Sequence, residues 1–345
     1  MKKFAFAFIL AAASLVVQAQ NGESRYLYTT KSFQGASPKN INATTSHGNI
    51  SVSDVPSSQT RVEVYIHANN GNQELSKEEI QKKLDEYYSL EISLSGDELT
   101  ASARQKKDFS FSESSLSISF EIFTPKDASA TLKTSHGNIE LSGLQGKQDV
   151  ETSHGNISID NITGKVFGET SHGNVTVKGC SNEVDVSTDH GNIEGRKCDG
   201  TLKFITSNGN LDLTDLKGKI RAGTTHGNVF ARTVSGELNT STSHGDVNLE
   251  DMSSSVDAST NHGNISVTVN KINGQIVMNN ENGNISLELP KGIGLNLDLQ
   301  GRHVTVDGMQ NFDGAKSKDL VKGSTNGGGT KISAKTDKEV SLTFR

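Results

Sequence analysis

The 345-residue chain has no Trp, only four Pro and two Cys, and aromatic residues make up 5% of it. Without Trp it lacks the large ring platforms on which many sugar-binding modules are built. Two cysteines are too few for the disulfide framework of a small secreted scaffold. There is no excess of positive charge: the formal net charge is −6, which argues against nucleic acid and anionic membrane surfaces as partners. No apolar run is long enough for a transmembrane segment: the one candidate, residues 4–17, has roughly 14 residues where a spanning helix needs about 20. A nucleophile elbow, a phosphate loop and a paired acid and base on one strand are all missing, so no catalytic residue is nominated, no enzyme activity is read and no cofactor is expected.

What is present begins at the N-terminus. Lys2 and Lys3 precede the apolar run, and Val17-Gln18-Ala19 stands before Gln20. This is the pattern of a secretory signal peptide with a small-residue cleavage site, covering residues 1–19. Its removal would take away two lysines and move the formal charge from −6 to −8. No Cys stands just after the cleavage point to accept a lipid. The expected location is periplasmic, cell-surface or extracellular.

A repeat decides the fold class. The string Thr-x-His-Gly-Asn recurs with its third residue at His136, His154, His172, His190, Asn208, His226, His244 and His262, always 18 residues apart. The next copy centres on Asn282 after 20, which implies a two-residue bulge near Asn270, and an earlier copy lies far upstream at Thr45 to Asn49. Within one unit Ile157 and Ile159 alternate with polar residues, the period of a strand buried on one face. Val150 and Thr152 share the opposite parity. The chain must therefore bend at His154-Gly155, where Gly offers freedom at positive φ. A unit of 18 residues is too short for a helix and a strand with two turns, so two or three short strands per coil are predicted. The fold class is all-β: a single-stranded parallel β-helix, or β-solenoid, with ~18-residue coils stacked about 4.8 Å apart. Leu144, Ile162, Leu216, Val234 and Met252 form one inward column, and the repeated Thr residues form another beside the bend.

Four regions follow: the signal segment 1–19; an N-terminal β-rich cap with the first coil, 20–130; the regular solenoid, 131–286; and a C-terminal end and cap, 287–345. The N-terminal cap carries one short helix near 77–88, opened by the capping box Ser76-Lys77-Glu78-Glu79. Strands are predicted at 61–68, 89–94, 98–103 and 116–123. Capped ends protect the edges of the stack and point to a monomer.

The arrangement resembles the bacterial family known as the putative-adhesin domain, whose function is unknown. The likeness rests on the export signal, Ser46-His47-Gly48-Asn49-Ile50, the stretch Ser117 to Pro125, the stretch Ile285 to Pro290, the glycines 327–329 and a closing strand. It implies a right-handed β-solenoid and a surface or periplasmic role. It carries over no catalytic residues, and this chain departs from it in having His at the tip.

Two constellations are candidates for chemistry. The stacked His136, His154, His172, His190, His226, His244 and His262 offer imidazoles at rung spacing, which could share Zn²⁺, Cu²⁺ or Ni²⁺; against a metal, carboxylates are scarce around them, and a packing role at the corner, satisfying bend backbone groups, is the bland reading. Close-packed imidazoles should also lower stability as pH drops from about 7 to about 5. Cys180 and Cys198 are 18 residues apart and replace the apolar residue before the turn, so a disulfide between them is possible, small apolar filling being the alternative. An ice-binding role for the Thr column is disfavoured by its inward parity. The expected function is therefore a non-catalytic, adhesin-like binding or structural module contacting an envelope or extracellular polymer or protein, with a periplasmic metal-binding protein as the alternative and end-to-end self-assembly as a third reading that the caps oppose.

Overall fold

The computed structural model describes residues 17–18, 24–68, 75–106 and 115–345. The expected signal segment lies outside them apart from residues 17 and 18. The described chain is all-β with a single α-helix. No helix among the described residues is long and apolar enough to cross a membrane. The described residues up to 155 and those from 156 to 345 form two compact units.

In the first unit the helix spans Lys77–Tyr87, and its start is fixed by both bonds of the capping box. The Glu79 amide donates to Ser76 Oγ at 3.3 Å and the Ser76 amide donates to the Glu79 carboxylate at 2.8 Å. Ile80 and Leu84, four apart, are the residues it buries. The upstream tip copy belongs to strands Asn40–His47 and Ile50–Asp54. Strand Asn40–His47 runs parallel to Ser129–His136 on one side and to Glu98–Gln105 on the other. Ile50–Asp54 likewise lies between Ile139–Ser142 and Leu116–Thr124. The first coil is thus the second rung of its stack. Outside it, Leu116–Thr124 continues antiparallel into Arg61–Ala68 and then Ser24–Ser32, while Glu98–Gln105 pairs antiparallel with Tyr88–Ser95. The parallel rungs therefore end in antiparallel strand pairs, which leaves less open edge than a bare coil would.

The second unit is a parallel stack in which Ile157 pairs with Val175, Val175 with Ile193, Ile193 with Leu211, Leu211 with Val229 and Val229 with Val247, each step joining residues 18 apart. Apolar side chains of alternate residues fill the interior, and Ile157, Ile159, Ile162, Val175 and Val177 are all at most 1% exposed. The core also compensates volume between neighbours: Phe204 sits against Gly195, where an added Cβ would come within 2.9 Å of its ring. Three 16-residue strands, Leu211–His226, Val229–His244 and Val247–His262, run unbroken through a corner at Asp215, Thr233 and Asp251, each with φ of 56°. Register then shifts between Leu249 and Met252, and His262 pairs with Asn282, so the two extra residues are absorbed around residues 270–275.

The end of this unit does not follow chain order. Strands Thr330–Lys335 and Glu339–Phe344 pair with Ile276–Asn282 and Ile285–Leu289 on one side, and with Leu295–Gln300 and His303–Asp307 on the other. The last strands of the chain are therefore inserted beneath a coil made earlier. Leu295–Gln300 is covered in turn by the antiparallel strands Leu320–Thr325 and Phe312–Lys316.

Candidate functional site

The tips are where the buried parity switches face, because Thr points in, the next-but-one His points out, and Ile or Val two residues past Gly points in again. Within the second unit the rings of His172 and His190 are parallel with centroids 4.8 Å apart, those of His226 and His244 4.9 Å, and those of His244 and His262 5.0 Å. In the first unit His47, His136 and His154 stack at 4.7 Å per step. All of these rings are exposed except His47, which is half-buried. Burial, followed by the neighbouring His136, holds the His47 imidazole below its ordinary range.

Residues on either side of His close hydrogen bonds of the bend backbone. Thr206 Oγ1 donates to the Gly191 carbonyl at 2.9 Å, and Thr188, Thr224, Thr242 and Thr260 make the same bond to Gly173, Gly209, Gly227 and Gly245 at 2.9 to 3.0 Å. Asn side chains form the second ladder: the Asn210 amide donates to Asn192 Oδ1 at 2.8 Å and the Asn228 amide to Asn210 Oδ1 at 2.8 Å. Asp246 holds the same place in that ladder, accepting from the Asn264 amide at 2.7 Å. Thr and Asn thus close hydrogen bonds that the turn must close. Asn208 and Asn282 occupy that position on other coils.

The tip glycine answers a different need from the one its sequence suggests. An added Cβ on Gly209 would lie 1.9 Å from the Gly191 carbonyl oxygen, and one on Gly191 would lie 1.9 Å from that of Gly173. Neither residue has a positive φ in the left-handed region. At these two positions close approach of the preceding coil, rather than the dihedral, excludes a side chain, whereas Gly48, Gly227, Gly245 and Gly263 combine the same close approach with a φ of 137° to 157°.

The geometry bears directly on metal chemistry. Parallel rings one rung apart aim their nitrogens side by side. A zinc–nitrogen bond of about 2.0–2.1 Å limits two ligands of one ion to about 4.2 Å, less than the ring separations here. Among the described residues no group of three or more His, Cys, Asp or Glu side chains is placed to hold a metal ion. An open groove of about 940 Å³ beside the helix, lined by Tyr28, Lys77, Gln81 and Asp85 among others, mixes acidic and basic side chains.

Cys180 and Cys198 lie on consecutive coils of the second unit, each 1% exposed, as unbonded thiols. Their column continues Ile162 and leads to Leu216, Val234 and Met252, all at most 1% exposed. The Cys180 thiol is pushed up by its hydrogen bond with Cys198 and by burial.

The outward strand faces carry ion pairs between coils: Lys165 with Glu183 at 2.7 Å, Lys203 with Asp185 at 2.9 Å and Arg232 with Glu250 at 2.6 Å. Exposed pairs of this kind contribute at most about 1 kcal/mol each. The tip edge differs from these faces. Across the coils bearing His226, His244 and His262, the exposed or half-buried residues flanking the rings are Thr225, Asn228, Ser243, Asp246, Asn261 and Asn264, with one charge among them.

Residues 178–339 match the Toastrack DUF4097 family. The function of that family is unknown. No curated protein matches the chain. Solved structures similar to it include a "putative cell adhesion protein" from Clostridium sporogenes, 9% identical, covering 92% of this chain and 98% of that one with a TM-score of 0.20. A "putative adhesin" from Bacteroides fragilis is 13% identical, with coverages of 92% and 95% and a TM-score of 0.30. A "putative lipid binding protein" from Parabacteroides distasonis is 14% identical, with coverages of 93% and 97% and a TM-score of 0.29.

Proposed function

We propose that this chain is an exported, non-catalytic, right-handed β-solenoid of 18-residue coils whose His-bearing edge is a binding surface at the cell envelope. The observation that carries the reading is the contrast between what is fixed and what is free at the tips. Thr and Asn close backbone hydrogen bonds, while His226, His244 and His262 present parallel exposed rings at 4.9 and 5.0 Å. A rigid row of weak donors and acceptors repeated every coil suits a linear partner that is itself repetitive, because many low-affinity contacts then act at high effective concentration. The partner class is an envelope or extracellular polymer, and the acidic net charge of −6 excludes nucleic acid as a steered ligand.

The test is a triple variant, His226→Asn, His244→Asn and His262→Asn. Asn208 already occupies this position between His190 and His226, so the variant should fold with an unchanged melting temperature. Retention on immobilised envelope polysaccharide should fall by tenfold or more, and equal retention of variant and parent would sink the edge as the binding surface. Protease treatment of intact cells, with a periplasmic control, locates the chain: loss of this chain while the control survives supports display outside the cell, and its protection removes adhesion.

A further inference from the structure

The only two cysteines of the chain fall in one column, on consecutive coils, at a position where every neighbouring coil of the unit has Ile, Leu, Val or Met. Ser181 and Asp199, the next residue on each coil, are paired in register, and the Asp199 amide donates to the Cys180 carbonyl at 3.0 Å. The two backbones are thus one rung apart. Parallel rungs are spaced about 4.8 Å, inside the range of about 4.4–6.8 Å between α-carbons that a disulfide accepts. Both side chains enter the core, and each thiol makes the equivalent contact to the residue two before it, Cys180 Sγ to the Lys178 carbonyl at 3.3 Å and Cys198 Sγ to the Arg196 carbonyl at 3.2 Å. Closing the bond takes rotation about the Cα–Cβ bonds and a small local approach of the two rungs, because a disulfide holds its β-carbons about 3.5–4.5 Å apart.

We infer that Cys180 and Cys198 are a redox site: in an oxidising compartment they close a disulfide that staples two consecutive coils, and the structure shows the reduced form. That they meet an oxidant rests on the export proposed above. The oxidant is a disulfide, carried by an exchange protein or by a small thiol compound. One cysteine thiolate attacks a sulfur of that disulfide, forming a mixed disulfide and releasing one thiolate of the oxidant. The second cysteine, deprotonated, then attacks the mixed disulfide, forming the Cys180–Cys198 bond and releasing the other thiolate. The two protons lost by the cysteines pass through solvent to the two released thiolates, so the oxidant leaves as two thiols. With both residues 1% exposed, the exchange takes place before the coils close, and the finished bond is shielded from reductants.

The full chain is refolded in a mixture of oxidised and reduced glutathione, quenched in acid and alkylated under denaturing conditions. A monomer that takes up no alkyl group until it is reduced, and then takes up two, is the expected result. Reduction should also lower the melting temperature by roughly 5 °C, from the entropy of the 18-residue loop, and this sensitivity should vanish in the Cys180→Val and Cys198→Val variants. Two alkylated thiols without reduction, glutathione adducts, or disulfide-linked dimers would overturn the pairing. The same alkylation on chain trapped directly from cells separates the two readings: a bond there supports both, whereas free thiols in cells beside ready bonding in vitro overturn export and leave the pairing standing.

Discussion

Replacing Gly209 by Ala probes how closely the coils approach. Without a steric conflict, Gly to Ala at a compatible backbone position stabilises by about 0.4–1 kcal/mol, because the unfolded chain has less freedom to lose. Here the new Cβ would sit 1.9 Å from the Gly191 oxygen and 2.6 Å from its carbonyl carbon, while carbon–oxygen contacts settle near 3.3–3.6 Å. The two coils would have to part locally by more than about 1 Å. Four bonds cross that gap: Gly191 N to Asn208 O at 3.1 Å, Ile193 N to Asn210 O at 3.0 Å, Thr206 Oγ1 to Gly191 O at 2.9 Å and Asn210 N to Asn192 Oδ1 at 2.8 Å. At about 1 kcal/mol net for each bond strained or lost, the expected cost is about 2–4 kcal/mol. The assay is urea unfolding followed by far-ultraviolet circular dichroism, with Gly223→Ala as the control. At Gly223 the added Cβ would come closest to the flexible end of Ile205, at 3.2 Å, with Ser241 at ordinary contact distance, and the change should be close to neutral. Stabilisation by Gly209→Ala, or a cost below about 0.5 kcal/mol, would refute close approach as the reason for glycine at the tip.

Thr206→Val removes the hydroxyl that donates to Gly191 and should cost about 1–3 kcal/mol, with Thr206→Ser recovering part of it in the same urea series. Thr233 holds a β-branched side chain at φ 56°, so Thr233→Asn should raise stability by about 1 kcal/mol, read as a higher melting temperature. Burial and His136 keep the His47 pKa below its unfolded value. The stability this contributes is complete above the unfolded pKa of about 6.5 and is lost as pH falls through the lower folded value; melting temperature should decline from pH 7.5 to 5.5, less steeply in His47→Asn, and equal slopes would remove His47 as the cause. Deleting residues 330–345 withdraws the inserted strands and bares the edges of Ile276–Asn282 and Ile285–Leu289; loss of protease resistance well beyond the deleted segment is expected, and a clipped but otherwise resistant chain would show the insertion to be dispensable.

Local pattern was enough for much of this protein because a strand with one buried face writes its orientation into every second residue. The parity of Val150 and Thr152 against Ile157 and Ile159 located the bend, the 18-residue interval matched the step between paired residues, and Ser76 with Glu79 marked the helix start. The role of the tip residues was less legible. His drew attention by its chemistry, yet Thr and Asn make the bonds of the corner, since which side chain reaches the next coil depends on a direction that spacing does not record. The tip glycine was visible, but its reason was not: a carbonyl 1.9 Å from a missing Cβ belongs to a residue 18 positions earlier.

What the sequence determined alone is the repeating coil, because each coil repeats the same short-range alternation and needs only its neighbour to bury it. The tertiary structure decided how the stack ends. His47 meets His136, 89 residues away, because the first coil slots between the strands of later ones. The final strands enter beneath Leu295–Gln300 and His303–Asp307, which precede them in the chain. These pairings carry no period. They follow from which strand edges are left unpaired once the regular coils have formed, and free edges exist only in three dimensions.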